Sequence, residues 1–368
     1  MPEHGSFSFS QQTWNRLKKN KGALFGLFII TTAFITCLLG YVIAPDASPD
    51  ANRQTVEIQA EKPGYSQMFL KVPINKIDRG NWLDHLLNGR PDDARFIPIT
   101  GYIIEGDSVR VNKYVDDDTY IAQNYSINML TGNKPENIQR QIVNKRFWLG
   151  TDRFGRDILS RLIIGTRVSL AVGMIAVIIS LALGIVLGAL AGYYRGRTDK
   201  LIMWLINVTW SIPTLLLVFA ITMALGKGFW QIFIAVGLTM WVSVARLIRG
   251  QVMMVKEMEY VQAARALGYS DGRIIGKHIL PNILGPVIVL AASNFATAII
   301  VEAGLSFLGI GIQPPQPSWG LMIKENYNFI ITHNPMLALI PGFAIMLLVL
   351  AFNLLGNGLR DAFDVKGS

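Results

Sequence analysis

The chain has 368 residues, 51% of them hydrophobic and only 16% charged, with a formal net charge of +9. Ordinary soluble domains carry about 25% charged residues, so the composition excludes a free soluble protein and points to one embedded in lipid. The single cysteine, Cys37, excludes an internal disulfide framework and a cysteine-based metal site.

The apolar residues cluster in runs rather than spreading periodically. About 20 apolar residues span a bilayer core as a helix, and six runs qualify: 23–44, 168–193, 201–225, 229–245, 283–307 and 336–355. The first is longer than the roughly 7–15 apolar residues of a cleaved secretion signal and reads as a signal anchor. Cys37 lies inside it as a small packing residue.

Charge placement then predicts topology. With the N-terminus inside, the cytoplasmic pieces are 1–22, 194–200, 246–282 and 356–368, which hold 15 Lys/Arg against 7 Asp/Glu. Segment 45–167 is near balance, with 17 against 16, and the two short outer loops carry one lysine each, Lys227 and Lys324. The excess lies on one side, as the positive-inside rule requires, so the basic balance sets orientation and gives no evidence for nucleic acid. Both termini are expected in the cytoplasm.

Three regions follow: 1–44, the N-terminus and first span; 45–147, an extracytoplasmic insert; and 148–368, a five-helix core with a cytoplasmic loop at 246–282. Within the insert, 54–60 and 67–72 read as strands separated by the turn signal Lys62-Pro63-Gly64. Residues 96–104 and 108–111 flank Gly106-Asp107, which predicts a β-hairpin. The fold class is therefore an all-α membrane protein with a small, mainly β insert after its first helix.

Before the second run stands Trp148-Leu149-Gly150-Thr151-Asp152-Arg153-Phe154-Gly155-Arg156-Asp157. Thr151 or Asp152 is an N-cap candidate for a short surface helix with Leu159, Leu162 and Ile163 on one face. Nothing nearby completes a catalytic site around Asp152 and Asp157.

In loop 246–282, Tyr260, Ala263, Ala264 and Leu267 recur at the spacing of one helical face, with Glu259, Gln262 and Arg265 off that stripe. Gly268 follows where a helix end favours positive φ. Asp271 is placed to cap a second short helix holding Ile274, Ile275 and Ile279, ended by Pro281. The pattern predicts a helix–Gly–helix elbow, and periodicity alone leaves two uses open: a docking surface for another protein, or an amphipathic linker on lipid headgroups. Polar residues inside the runs mark bundle interiors or aqueous paths. Span five offers Ser293, Asn294, Thr297 and Glu302; span three offers Asn207, Thr209, Ser211 and Thr214, interrupted at Pro213. Asn294, Thr297 and Ser211 are the candidates for a solute pathway, with helix–helix hydrogen bonding as the alternative.

Gln262-Ala263-Ala264-Arg265-Ala266-Leu267-Gly268 with His278-Ile279-Leu280-Pro281-Asn282 resembles the EAA loop of ABC-importer permeases, in the version of the dipeptide/oligopeptide family's C-type subunit. Three further blocks agree: 149–157 with Ser160-Arg161, 302–311, and 352–356 with Leu359-Arg360-Asp361. The chain departs from that pattern at Gln262, where the loop's glutamate is expected, and in the length of the insert. The resemblance implies a type I importer fold with six transmembrane helices in a bacterial or archaeal inner membrane. It implies as partners a second permease subunit, two ATP-binding subunits and an extracytoplasmic substrate-binding protein. It also implies that Tyr260, Gln262, Ala263, Ala264, Arg265, Leu267, Gly268 and Asp271 couple the chain to the ATPase, with ATP and magnesium bound by that partner. The sequence fits this division of labour, because no G-x-x-x-x-G-K-[ST] phosphate loop occurs anywhere in it. Peptides are the expected cargo.

Two other function classes compete. A secondary transporter wants midplane carboxylates and internal repeats, whereas only Glu302 lies in a span, near an edge. A membrane-bound hydrolase would need a site in the insert, where His85 is the lone histidine; His4, His278 and His333 lie elsewhere.

Overall fold

The structure, a computed structural model, describes residues 9–74, 80–132, 137–226, 228–332 and 334–363. Lys227, His4 and His333 lie outside the described residues. In chain order the helices and strands are α1 (Phe9–Leu17), α2 (Lys21–Ile43), β1 (Tyr65–Pro73), α3 (Trp82–Asn88), β2 (Ala94–Glu105), β3 (Ser108–Asp116) and β4 (Thr119–Ser126). Then come α4 (Ile127–Thr131), α5 (Ile138–Gln141), β5 (Ile142–Phe147), α6 (Ile158–Tyr194), α7 (Gly196–Trp210), α8 (Thr214–Leu225), α9 (Phe229–Val255) and α10 (Glu259–Ala266). The chain ends with α11 (Asp271–Arg273), α12 (Leu284–Phe307), α13 (Trp319–Asn326), α14 (Phe329–Thr332) and α15 (Met336–Phe363).

Among the described residues, five helical segments are long and apolar enough to cross a membrane: α2, α6, α9, the rod Asp271–Phe307 that contains α11 and α12, and α15. The run expected at 201–225 is not a straight span. It breaks at Ser211-Ile212-Pro213 into α7 and α8, bent by 93°. Pro213 takes ψ of 130° there, an extended value that no helix continues through. Pro281 does the opposite of what is expected of it. The rod passes through it in a π-helical turn, Ile274–Ile279, and a 3-10 turn, Leu280–Ile283. Such departures from the i→i−4 ladder, one wider and one tighter, avoid the clash between a proline ring and the carbonyl four residues earlier. The side chain of Asn282 donates to the His278 carbonyl at 2.7 Å.

The chain divides into two compact units. One comprises 35–168 and 314–343 and contains an antiparallel sheet of order β4-β3-β2-β1-β5. Gly106-Asp107 closes the β2–β3 hairpin, with Glu105 paired to Ser108. Alternation along the strands buries Leu70, Val72, Ile97, Ile99, Val109 and Val111 together with Ile127, Leu130 and Ile138 of α4 and α5. The other face of β1 sends Phe69 against Ile58, Tyr114 and Phe147. The strand expected over 54–60 does not form. Its centre is a 3-10 turn, Val56–Ile58, whose flanks bond to 150–154: the Thr55 amide donates to the Phe154 carbonyl, and the Glu61 amide to the Thr151 hydroxyl. β1 and β5 are neighbours, with Tyr65 opposite Phe147, and the Gly64 amide donates to the Phe147 carbonyl at 2.9 Å.

The other unit comprises 9–34, 169–313 and 344–363. A stripe of small residues on α6 makes close backbone contact with α9. Gly184, Gly188 and Gly192 fall four residues apart, on one helical face, and face Val244, Ala245, Ile248, Arg249 and Val252 of α9. A Cβ on Gly188 would lie 2.5 Å from the Ala245 carbonyl oxygen, and one on Gly192 2.7 Å from that of Arg249. Helix association in lipid relies on such close backbone approach, because no hydrophobic driving force separates apolar side chains from lipid tails.

Gly188→Ala should therefore overpack this contact and lower stability by about 1–3 kcal/mol. Gly250→Ala, whose Cβ would enter open space on α9, should instead be neutral or stabilising by up to about 1 kcal/mol. Unfolding midpoints of the two purified variants in one detergent check the contrast.

Candidate functional site

The loop 256–283 forms the predicted elbow, and its geometry follows from how α10 ends. The Gly268 amide donates to the Arg265 carbonyl and the Tyr269 amide to that of Ala264, the paired bonds of a Schellman motif. Gly268 has φ of +78°, a conformation that costs a side-chain-bearing residue about 1–2 kcal/mol.

The inner face of α10 differs from the stripe expected. Val261 and Ala264 are the buried residues, whereas Tyr260, Ala263 and Leu267 are exposed, Leu267 by 74%. Val261 and Ala264 pack into a cluster with Val244, Ile248 and Val252 of α9, Ala189 and Tyr193 of α6, and Ile274, Ile279 and Ile283. The dense aliphatic wall of the neighbours selects Val261 inward and leaves Tyr260 outside.

Asp271 does not cap a helix. Its carboxylate accepts a hydrogen bond from the Tyr193 hydroxyl at 2.7 Å, and Ser270, at the N-cap position, makes no side-chain cap bond. Lys256 reaches the same turn of α6, donating through Nζ to the Tyr193 carbonyl at 2.7 Å. Burial, then the positive charges of Arg195 and Arg265, hold the Lys256 ammonium below lysine's usual range. Gln262 donates to the Lys256 carbonyl at 2.9 Å, and Tyr269 stacks on His278 with ring centroids 5.8 Å apart. The elbow is thus fastened to the last turn of α6 from both of its arms. It presents Tyr260, Gln262, Ala263, Arg265 and Leu267 outward. Small, exposed Ala263 lets another backbone approach closely.

The three pathway candidates sit differently. Asn294 is buried and its Nδ2 has no hydrogen-bond partner among the described residues. Thr297 is exposed and donates to the Ser293 carbonyl. Ser211 is exposed at the α7–α8 break and donates to the Val208 carbonyl. No hydrogen bond joins the three among the described residues. Glu302 is fully buried and accepts from the Ser306 hydroxyl at 2.6 Å, which in turn accepts from the Ile312 amide. That chain ties the C-terminal end of α12 to the loop after it.

The other unit holds a charged cluster that sequence reasoning missed. Arg156 donates through Nε to Asp152 and through Nη2 to Glu325, both at 2.6 Å. Arg161 reaches the same Glu325 oxygen at 3.2 Å and lies 3.7 Å from Asp152. All four side chains are 1–4% exposed. Asp152, expected as a cap, instead accepts from the Phe154 and Arg156 amides and closes a loop. The cap of α6 is Asp157, which accepts from the Ser160 amide at 2.9 Å; burial pushes its carboxyl above the usual range. The expected short surface helix is therefore the first turns of α6, continuous with the span. On the Glu325 side, Ser318 caps α13, and Trp319 donates to the Leu162 carbonyl at 3.0 Å over Gly165. The signal available in the sequence was two arginines five residues apart with too few local carboxylates.

The residues resemble known proteins over most of the chain. Residues 184–366 match the family of binding-protein-dependent transport system inner membrane components. Residues 8–60 match the N-terminal TM domain of oligopeptide transport permease C. A glutathione transport system permease protein of Pectobacterium atrosepticum is 43% identical over 60% of this chain and 72% of its own length. A dipeptide transport system permease protein of Alkalihalophilus pseudofirmus is 46% identical over 60% of this chain and 72% of its own length. One of Bacillus subtilis is 32% identical over 98% of this chain and 87% of its own length.

Glu325→Ala would leave Arg156 and Arg161 sharing one carboxylate in a dry interior. Breaking a buried pair in this way costs about 3–5 kcal/mol. Glu57→Ala, which removes a pair with Lys113 whose side chains are 26–27% exposed, should cost under about 1 kcal/mol. Thermal unfolding in detergent should show a large drop for the first variant and a small one for the second.

Proposed function

The chain belongs to the binding-protein-dependent transport permeases, and we propose that it is one of two membrane subunits of an ATP-driven importer whose cargo is peptide. Dipeptide and glutathione are the cargoes in the names of its relatives. The observation that carries the coupling role is the elbow, which is bound at Tyr193 through both Lys256 and Asp271 and exposes an unpartnered face. A force applied to that face reaches the ends of α6, α9 and the Asp271–Phe307 rod together, because one packed cluster joins them.

In this reading Tyr260, Gln262, Ala263, Arg265 and Leu267 meet the ATPase partner. Ala264, Gly268 and Asp271 hold the elbow's shape. ATP and magnesium bind to that partner and none binds here. Nucleotide-driven closure moves the elbow as a rigid body and shifts the bundle between outward-open and inward-open states, by as much as the ligands' differential affinity for them. The positive-inside balance puts the elbow and both termini in the cytoplasm. A membrane crossing by α6 then puts the sheet outside, beside the substrate-binding protein. Asn294, with its buried unpaired amide, faces the second permease subunit or the solute. Gln262 makes a backbone bond with its amide, so shape rather than a glutamate charge does the docking.

Proteoliposomes holding the whole assembly, with binding protein and labelled dipeptide, test the reading. Uptake should require internal-face ATP, and uptake driven by a proton gradient without ATP would overturn it. Gly268→Val should assemble with the ATPase yet lose at least about tenfold in uptake, because β-branched residues are outliers at positive φ. Gly268→Asn, which tolerates that region, should retain uptake. A Val variant as active as the parent would remove the elbow from the coupling path.

A further inference from the structure

We propose that α3 (Trp82–Asn88) is a membrane-surface anchor that lays Trp82, Leu83, Leu86 and Leu87 into the lipid where α2 and α6 leave the bilayer. The helix is short but cleanly two-faced. At 100° per residue, those four apolar residues fall within one arc of about 140°, while Asp84, His85 and Asn88 share the opposite side. Three of the four apolar residues stay exposed and Leu86 is half-buried. No residue of α3 is buried; Trp82 is 72% exposed, Leu83 52% and Leu87 58%. The polar side makes its own bond, Asn88 to Asp84 at 2.7 Å.

Three contacts place this helix at the level of the interface. The Leu87 carbonyl accepts a hydrogen bond from Arg167 at 2.8 Å. Arg167 is the last charged residue before the charge-free run 168–194 of α6. Its guanidinium also lies 5.0 Å from the centre of the Tyr41 ring, near the end of α2. Gly89 packs so closely on Tyr41 and on the Ala47 carbonyl that a Cβ would lie 2.8 Å from each, and the Arg90 amide donates to that same carbonyl. Arginine and tyrosine at the ends of apolar runs are interfacial groups, so a helix bound to both lies at headgroup depth.

The occupant of the apolar face follows from continuity. Leu38, Leu39, Val42 and Ile43, in the last turns of α2, are 42–68% exposed in a segment whose surroundings are acyl chains. The segment that ends α3 packs on Tyr41 and Ala47, at the end of α2. A tryptophan-bearing amphipathic helix at that height matches the chemistry of interfacial binding.

Site-directed spin labelling of the full chain in proteoliposomes tests this. In a Cys37→Ala background, single cysteines replace Leu83, Leu87, Asp84 and Asn88 and carry a nitroxide. Power saturation should show positions 83 and 87 accessible to oxygen and shielded from a water-soluble nickel chelate, with 84 and 88 showing the reverse. Equal nickel access at all four would mean the helix lies in water and would overturn the proposal. Shielding of 83 and 87 from both reagents would also overturn it and mark a protein-covered face. A second measurement avoids labels. The emission lost in Trp82→Phe should be the part quenched when lipids are brominated near the head of the acyl chain, and an unquenched difference would sink the anchor.

Discussion

Arg156 and Arg161 are the largest side chains that the described residues bury completely, and the shape of the unit around them follows from the need to neutralise two cations away from water. Each bare ion in a low-dielectric interior costs several kcal/mol. Asp152 supplies one counter-charge from within the same loop, and Glu325, 169 residues from Arg156, supplies the other. That distance in sequence makes the cluster a register device. Any arrangement of α13 that moves Glu325 away leaves a charge stranded, so Ser318, Trp319 and Gly165 are drawn into the positions they take. The segment 52–61 is gathered by the same loop: Arg156 also bonds Asn52, and Gly155, at φ +70°, leaves room for the Thr55 carbonyl.

Much of the fold was legible because membrane insertion enforces long, conspicuous signals. Five of six apolar runs became helices of spanning length, and the Gly106-Asp107 hairpin formed where the turn dipeptide stood. The left-handed Gly268 was legible for the same local reason, since a helix end that needs positive φ selects glycine. What escaped depended on partners distant in sequence. On α10 two overlapping stripes, one through Tyr260 and one through Val261, both have helical spacing, and only the wall of Ile248, Val252 and Ile274 decides between them. Residues 54–60 alternate like a strand, yet their backbone bonds go to 150–154 instead of to a sheet. Asp271 looked like a cap because its distant acceptor role toward Tyr193 leaves no local mark. For the candidate site, the elbow was readable in outline, while the clasp at Tyr193 and the Glu325 cluster were not.

The two prolines expected to interrupt helices are accommodated in different ways. Irregular segments at membrane depth are tolerated only where the freed carbonyls find partners. At the α7–α8 break, Ser211 bonds the Val208 carbonyl with its own hydroxyl, and the Ile212 amide turns to the Thr209 carbonyl. At Pro281 the helix instead passes from a π-helical into a 3-10 turn, and the Asn282 side-chain amide donates to the His278 carbonyl. The same residue type thus bends one rod by 93° and leaves another running on.

The way the chain enters and leaves its sheet has a wider consequence. Tyr65 and Phe147 sit opposite each other on adjacent strands, and Gly64 is one hydrogen bond from Phe147. The backbone therefore enters and leaves the sheet across one pair of neighbouring strands. What lies between those ends is tied down a second time: the Arg90 amide bonds the Ala47 carbonyl, Arg167 the Leu87 carbonyl and Arg53 the Asp92 carboxylate. The insert is thus latched both at its strand ends and at the segment after α3, which makes it a fixed part of the unit that holds the buried arginines.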